Sequence, residues 1–270
     1  MRPFLKWAGN KYSLLSHIKP LLPQKANRLI EPFAGSGAVF LNTNYPDYLL
    51  ADTNPDLIHL FQYIQTEGDP FIEFCAEFFI PQNNHPLRFY MLRKKFNTTN
   101  DTRLRSALFL YLNRHTYNGL CRYNSQAKFN VPFGRYEKPY FPRTEMKFFH
   151  QKSENIIFKT ADFIPIMQTA QRGDVIYCDP PYVPLSSTAS FAHYHQKTFG
   201  WEQQCELAHQ AKTAASRGVT VLISNHCTPE IKKLYHDAVL KIFPVRRTIS
   251  CTTASRKKPV KEVLAVFSNA

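Results

Sequence analysis

The sequence predicts an α/β fold whose sheet is largely parallel and which a run of helices interrupts once. Three observations carry that expectation. Short apolar runs bounded by turn formers, among them Arg28-Leu-Ile-Glu31, Tyr48-Leu-Leu-Ala-Asp52, Asp174-Val-Ile-Tyr-Cys-Asp179 and Val219-Thr-Val-Leu-Ile-Ser224, read as buried strands. Residues 56–114 carry helical periodicity with no strand-like run among them. A glycine turn, Ala34-Gly-Ser-Gly37, follows the first strand, and its glycines let the backbone take positive φ and lie close against a ligand.

Composition narrows the class. At 270 residues the chain is long enough for one large α/β domain carrying an insertion. Lys and Arg exceed Asp and Glu by 34 to 20, and the resulting +14 points to a polyanionic partner, with 14% aromatic content to supply stacking surfaces. Hydrophobic content of 44% fits a globular chain rather than a disordered one. No apolar run is long enough to cross a bilayer and no apolar signal region opens the chain, so a cytoplasmic protein is expected. Cys75, Cys121, Cys178, Cys205, Cys227 and Cys251 include no Cys-x-x-Cys pair and read as reduced thiols, not a metal site or a disulfide frame.

Taken in order, the chain opens on the basic, aromatic lead-in Arg2 to Lys11, and Leu14, Leu15 and Ile18 on one face predict a helix from Ser13 to about Leu22. Trp7 and Lys11 stand at its mouth, where a core tryptophan and a solvated lysine explain the segment equally well. After the glycine turn a helix is expected through Val39, Phe40 and Leu41. Asp52 ends the second strand at about the interval where nucleotide-binding α/β sites place a ribose-binding acid. Its structural alternative is the N-cap of the next helix. Helices are then expected at Asp56–Gln65, Pro70–Phe79, Pro86–Phe96 and Thr102–Arg114, with Arg88, Arg93, Lys94, Lys95, Arg103 and Arg105 giving a basic surface.

From Arg114 to Tyr136 aromatics, arginines and Asn/Gly turns alternate without helical or strand period. Ordered loops of that length are uncommon unless functional. A protruding Tyr117–Asn118 pair can wedge between bases and an arginine can bind guanine in the major groove. A hairpin anchored by Phe129, Val131 and Phe133 is compatible with the same residues. Strands resume at Asn155–Lys159 and Asp174–Asp179. A polar stretch from Val183 to Gly200 then reads as a lid, a helix as Trp201 to about Ser216, and strands as Val219–Ser224, Val239–Ile249 and Glu262–Phe267. A basic loop with Arg256, Lys257, Lys258 and Lys261 is expected on a phosphate-binding side.

Asp179-Pro-Pro-Tyr182 organises the rest. In open α/β sheets ligands collect beyond the carboxyl ends of the strands, which is where Asp179 stands. Pro180 and Pro181 donate no backbone hydrogen bond and stiffen the turn. The turn offers a carboxylate, an acceptor carbonyl at Pro180 and an aromatic face at Tyr182. That set suits an exocyclic amino group on a flat ring, which makes Asp179, Pro180 and Tyr182 the candidate catalytic residues.

Read together, Phe4-Leu-Lys-Trp-Ala-Gly-Asn-Lys-Tyr12, Glu31-Pro-Phe-Ala-Gly-Ser-Gly-Ala-Val-Phe-Leu-Asn42, Ala51-Asp52, Tyr111-Leu-Asn-Arg114, Tyr117-Asn-Gly-Leu-Cys-Arg-Tyr-Asn124, Phe129-Asn-Val-Pro-Phe-Gly-Arg-Tyr136 and Asp179-Pro-Pro-Tyr182 follow one another in a specific order. In that order the chain resembles the DNA adenine N6-methyltransferases of the Dam type, which methylate adenine in GATC. The resemblance implies a Rossmann-like S-adenosylmethionine-dependent methyltransferase sheet at 1–55 and 145–270. It places a mainly helical target-recognition domain with a β-hairpin at 56–144. It implies cofactor contacts at Trp7, Lys11, Phe33, Gly35, Gly37, Asp52 and Asp179. It implies DNA contacts at Tyr117, Asn118, Leu120, Arg122, Asn124, Pro132 and Arg135, with Tyr117 and Asn118 intercalating. S-adenosylmethionine is the expected methyl donor, with no metal, and double-stranded DNA the partner of a nucleoid-associated monomer. Such enzymes serve mismatch repair and replication timing or stand beside a restriction endonuclease. A different DNA site, cytosine N4, adenine in RNA, a protein glutamine amide (which the basic helical insertion argues against) and a non-catalytic DNA-binding protein are the competing readings. Asn10 and Ala127 depart from the family, each standing where glycine is common, and Ala takes positive φ less readily than Asn.

Overall fold

The computed structural model describes residues 1–182, 199–245 and 260–269. Residues 183–198 of the expected lid, and Arg256, Lys257 and Lys258 of the expected basic loop, lie outside the described residues. In chain order the strands are β1 (Arg28–Glu31), β2 (Asp47–Asp52), β3 (Ile157–Thr160), β4 (Val175–Cys178), β5 (Thr220–His226), β6 (Val239–Val245) and β7 (Val260–Phe267). The helices are α1 (Leu15–Ile18), α2 (Pro55–Glu67), α3 (Asp69–Ala76), α4 (Pro86–Thr98), α5 (Thr102–His115), α6 (Arg143–Lys152), α7 (Phe163–Gln168), α8 (Trp201–Ser216) and α9 (Pro229–Leu234).

The chain divides into two compact units, one of residues 1–15, 35–44 and 52–160, the other of 16–34, 45–51 and 161–270. In the second unit the strands run in the order β2-β1-β4-β5-β7-β6. The first four are parallel, with Ile30 opposite Leu49 and Ile176, and Ile176 opposite Val221. β7 lies antiparallel between β5 and β6. The chain passes from β1 to a neighbour on one side and later returns through β4 on the other. That reversal is a switch point, the place beyond the carboxyl ends of the strands where open α/β sheets bind their ligands. Buried apolar residues cover one sheet face, among them Ile30, Leu49, Ile176, Val221 and Ile223. Against them α8 sets Leu207, Ala208, Ala211, Ala214 and Ala215, a helical spacing whose small side chains let the helix approach closely. Its first turn is closed by Gln203, whose Oε1 accepts from the Gly200 N–H at 2.8 Å.

The first unit is helical, as residues 56–114 predict. Every residue of α5 from Ser106 to His115 is buried, so the helix runs through the middle of this unit. Asp101 caps it, accepting from the Leu104 N–H at 3.0 Å. An aromatic group of Phe4, Phe40, Phe61, Phe149 and Phe158 packs edge-on and tilted, with Phe4 and Phe149 centred 5.2 Å apart.

Several expectations are corrected. The helix expected from Ser13 to Leu22 is broken into a 3-10 turn, the single turn α1 and a second 3-10 turn at Lys19–Leu21. Pro20 lacks the N–H that a continuing helix needs. The helix expected through Val39, Phe40 and Leu41 is one 3-10 turn, Phe40–Asn42. Helices α6, α7 and α9 had no counterpart in the reading of the sequence. The structural alternative for Asp52 also falls, because the N-cap of α2 is Asn54, whose side chain accepts from the Asp56 N–H at 3.0 Å.

Candidate functional site

In the first unit the glycine turn is tied to the end of β2. The Gly35 N–H donates to Asp52 Oδ2 at 3.1 Å and the Asn54 N–H donates to Asp52 Oδ1 at 3.0 Å. Gly35 has φ of 48° and Gly37 of 69°, a region that L side chains avoid. A Cβ at Gly35 would stand 2.9 Å from Trp7 Nε1, so the indole lies against the bare backbone of the turn. Burial raises the Asp52 carboxyl above its ordinary range, opposed by the backbone N–H groups of Asn54, Gly35 and Thr53. Each carboxylate oxygen has two lone pairs, so after these bonds Asp52 can still accept from a vicinal diol. Lys11 is buried, and its Nζ donates to the Gly9 carbonyl at 2.7 Å. Asn10 does not take positive φ, so replacing glycine there costs the backbone nothing, and its Oδ1 accepts from the Tyr12 N–H.

In the second unit Phe33 follows β1 and Asp179 follows β4, at the carboxyl ends of adjacent parallel strands. Phe33 stacks on Phe163 with centroids 5.5 Å apart. Ser224, on β5, donates to Asp179 Oδ1 at 2.9 Å. Pro180 is buried, and the Pro181 carbonyl accepts from Gln204 Nε2 of α8 at 2.9 Å. The Tyr182 hydroxyl donates to Glu262 Oε2 at 3.1 Å, and its ring meets His226 edge-on at 4.6 Å. His226 and Glu262 are register partners on β5 and β7. The ring thus stands on a strand ladder. Burial raises the Tyr182 hydroxyl well above its ordinary range, with the charges of Asp179 and Glu262 adding to it, so it stays a donor. Ser224, Glu262 and Gln204 were not singled out in the sequence. A polar residue closing an otherwise apolar strand was the available signal for Ser224.

The loop after α5, also in the first unit, is a hairpin held by two isolated bridges, Thr116 to Phe133 and Tyr123 to Phe129. Phe129 and Val131 are buried. Helix α4 grips that buried edge: Asn97 accepts from the Phe129 N–H at 2.8 Å, and Arg93 donates to the Val131 carbonyl at 2.8 Å. Tyr117, Asn118, Arg122, Pro132 and Arg135 are exposed, Leu120 and Asn124 half-buried. Arg122 Nε donates to Asn130 Oδ1 at 2.8 Å. Asn124 Oδ1 accepts from the N–H groups of Gln126 and Lys128, so that oxygen builds the turn. Anchors inside and exposed polar groups outside are therefore both features of this segment.

Two further groups here escaped the sequence. Asp56 accepts from Arg105 Nε and Nη2 and, at 2.6 Å, from the Tyr123 hydroxyl. Asn54 Nδ2 reaches Cys121 Sγ at 3.9 Å, and burial pushes that thiol up to about 12. Lys6 Nζ lies 4.0 Å from the centre of the Tyr136 ring, and a Cβ on Gly119 would collide with the Lys6 side chain. Among the described residues no cluster of His, Cys, Asp and Glu has the arrangement of a metal site. None of their helices is long and apolar enough to cross a membrane.

The D12 class N6 adenine-specific DNA methyltransferase family model matches residues 7–249. The DNA adenine methylase of Salmonella typhi is 48% identical over 266 residues, covering 98% of this chain and 95% of that protein. The DNA adenine methylase of Vibrio cholerae serotype O1 (strain ATCC 39541) is 48% identical over 268 residues, covering 99% and 96%. That of Escherichia coli K12 is 48% identical over 266 residues, covering 98% and 95%. A solved structure, precorrin 8W decarboxylase of Methanobacterium thermoautotrophicum, covers 96% of this chain and 90% of its own at 10% identity and a TM-score of 0.39, a likeness too slight to bear on the site. With a family match over most of its length and such relatives along nearly all of it, the chain belongs to the D12 class N6 adenine-specific DNA methyltransferases and is an adenine-specific DNA methyltransferase.

Proposed function

We propose that the enzyme methylates N6 of adenine within GATC in double-stranded DNA, with S-adenosylmethionine as donor and the target base turned out of the stack. The observation that carries the reading is the Asp179 turn, whose carboxylate and aromatic ring are each held by a strand neighbour. Adenine N6 is a weak nucleophile because its lone pair is delocalised into the ring. Asp179 and the Pro180 carbonyl accept its two hydrogens, which draws the nitrogen toward tetrahedral geometry and localises the pair. Tyr182 stacks on the base, which is out of reach inside a duplex and so must be flipped. S-adenosylmethionine, when bound, supplies a methyl group on a positively charged sulfonium, whose carbon–sulfur electron pair goes to sulfur on transfer. The surplus N6 proton is taken by Asp179. The chain's contribution is alignment and electrostatics, with no call for a strong base.

The glycine turn fits the donor. Its bare backbone lies against Trp7, and Asp52 has acceptor capacity for the two ribose hydroxyls. Trp7, Lys11, Phe33, Gly35, Gly37, Asp52 and Asp179 would hold it. We assign 1–55 and 145–270 to catalysis and 56–144 to target recognition. Tyr117 and Asn118 then serve as the intercalating pair, Leu120, Arg122 and Pro132 as base readers, Arg135 as a phosphate contact and Asn124 as a further DNA contact, in an enzyme acting as a monomer. The exposed tip and buried anchors of the hairpin support that division of labour.

The test incubates the protein with labelled S-adenosylmethionine and two duplexes, one containing GATC and one with a single base pair of that site changed. Label on adenine N6 of the first duplex alone is expected. Label on both, or only on the altered one, rejects the GATC assignment while keeping the chemistry.

A further inference from the structure

We propose that Ser224, itself oriented by Tyr177, is a positioning residue for methyl transfer that fixes the Asp179 carboxylate against the sheet. The inference rests on the reading of Asp179 as the group that accepts from adenine N6.

The geometry begins with strand register. β4 and β5 pair in parallel with Tyr177 opposite Leu222 and Cys178 opposite Ile223. One step further the same offset sets Asp179 alongside Ser224, and there the Ser224 hydroxyl lies 2.9 Å from Asp179 Oδ1. An ionised carboxylate can only accept, so the serine proton belongs to this bond and the serine oxygen is left to accept. Its donor is the Tyr177 hydroxyl at 3.3 Å. Burial and the charge of Asp179 raise that phenol well above its ordinary range, so it keeps its proton and its direction. The competing acceptor for Ser224 is the Cys178 carbonyl at 3.4 Å. It is neutral and farther away, and the charge-assisted bond to Asp179 prevails.

Ser224 and Tyr177 are buried, at 1% and 2% exposure, so water does not replace either bond. Asp179 itself is partly exposed and stands just past the last residue of β4. Without the serine its carboxylate would be held by less and would sample more orientations about its side-chain torsions. Transfer demands alignment of the acceptor with both amino hydrogens, and small misplacements at a reacting centre cost rate far more than affinity. The two-strand relay thus connects the rigid part of the sheet to the one carboxylate whose direction the chemistry depends on.

The experiment measures the single-turnover methyl-transfer rate at saturating cofactor and DNA, on a duplex the wild-type protein methylates. Dissociation constants for S-adenosylhomocysteine and for that duplex are measured beside it. Ser224→Ala is expected to slow transfer roughly 10- to 100-fold while both dissociation constants stay within about twofold, since hydrogen bonds to charged groups carry effects of that size. Tyr177→Phe, which leaves the serine in place, is expected to slow it by roughly 3- to 10-fold with the same unchanged affinities. If Ser224→Ala fails to fold, Tyr177→Phe decides alone. A wild-type rate at saturation in the deciding variant, or a loss confined to affinity, overturns the inference. Asp179→Ala separates this from the underlying reading. Turnover in that variant above about 1% of wild type, against the 10²–10³-fold expected for losing a group of this kind, sinks the reading itself. An inactive Asp179→Ala beside a wild-type Ser224→Ala sinks only the role of the serine.

Discussion

The segment Asp179–Tyr182 and the hairpin at Thr116–Tyr136 are built on opposite principles. The first grows directly out of β4; its side chains are met by Ser224 on β5 and Glu262 on β7, which strand register places, and its Pro181 carbonyl by Gln204 of α8. It contains no residue with positive φ. The hairpin has two isolated bridges in place of a ladder. All three non-glycine residues with positive φ among those described, Asn118, Ala127 and Arg135, fall within it. Such backbone is costly and persists only where its surroundings enforce it. Here the enforcing groups are discrete: Asn97, Arg93 and the buried Phe129 and Val131. The contrast teaches that the group proposed to do chemistry is set by the sheet, whereas the groups proposed to read sequence ride on a strained strap over fixed anchors. Changes in the strap can then alter reading while leaving the chemical step intact.

Acid offers the largest way to break that contrast, because it attacks the foundation of the strap. His115 closes α5, with Nδ1 2.8 Å from the Tyr111 carbonyl and its ring stacked on Tyr111. Its own carbonyl accepts from the Gly134 N–H of the hairpin at 2.8 Å. Burial, with Lys6 and Arg114 nearby, lowers the imidazole from 6.5 to about 4. Because the folded value lies below the unfolded one, the unfolded chain alone takes up the proton between these values. The histidine's contribution is therefore complete above about 6.5 and lost as pH falls toward about 4. At 1.36 kcal/mol per unit the full loss is roughly 3 kcal/mol. His115→Gln, which keeps a donor for Tyr111, should show a correspondingly shallower fall of urea-unfolding stability between pH 7 and pH 4. Parallel acid limbs in the two proteins would contradict it. The Tyr177 hydroxyl on β4 and the Tyr182 hydroxyl beside Asp179 remain protonated throughout this range, since burial raises both.

A smaller effect sharpens the comparison at the tip of the hairpin. Arg122→Ala should lower discrimination at one base pair by about 1–3 kcal/mol, while Arg135→Ala should weaken all duplexes alike and flatten the salt dependence of binding. Competition binding against single-base-pair variants of the site measures both. A preference unchanged in Arg122→Ala removes it from the readers.

What could be read from the sequence follows the same division. Strand β4, the position of Asp179 at its end and helices α2, α4, α5 and α8 came from local pattern, and α5 begins at Thr102 as its capping Asp101 implies. Helix α6 was missed because only Met146 and Phe149 are buried in an otherwise polar segment, too few apolar positions to show a period. Helix α7 was hidden by Pro165, which is tolerated in a first turn where no intrahelical N–H bond is due. Ser224 and Glu262 meet Asp179 and Tyr182 through pairings 45 and 80 residues apart in sequence, and Arg105 meets Asp56 across 49. No local pattern encodes those distances. Asp52 could be placed at a strand end by spacing, but its competition with Asn54 for the cap of α2 was decided only in three dimensions.

The smallest effect isolates the strain itself. Ala127 has φ of 56° and is exposed, and its N–H donates to the Asn124 carbonyl at 2.9 Å in a turn whose other N–H groups Asn124 also satisfies. An L residue with a Cβ in that conformation costs about 1–2 kcal/mol, which Asn118 partly escapes through its short polar side chain. Ala127→Gly removes the cost but gives the unfolded chain more freedom, which takes back part of the gain. The net expectation is a stabilisation of about 0.5–1 kcal/mol by urea unfolding, with the single-turnover rate unchanged because the Asp179 turn shares none of these bonds. A neutral or destabilised Ala127→Gly would mean that the turn relaxes around the alanine and that the strap is not strained there. A gain in stability accompanied by a changed transfer rate would show the opposite failure. The hairpin and the Asp179 turn would then be mechanically joined, and the separation drawn between reading and chemistry would not hold.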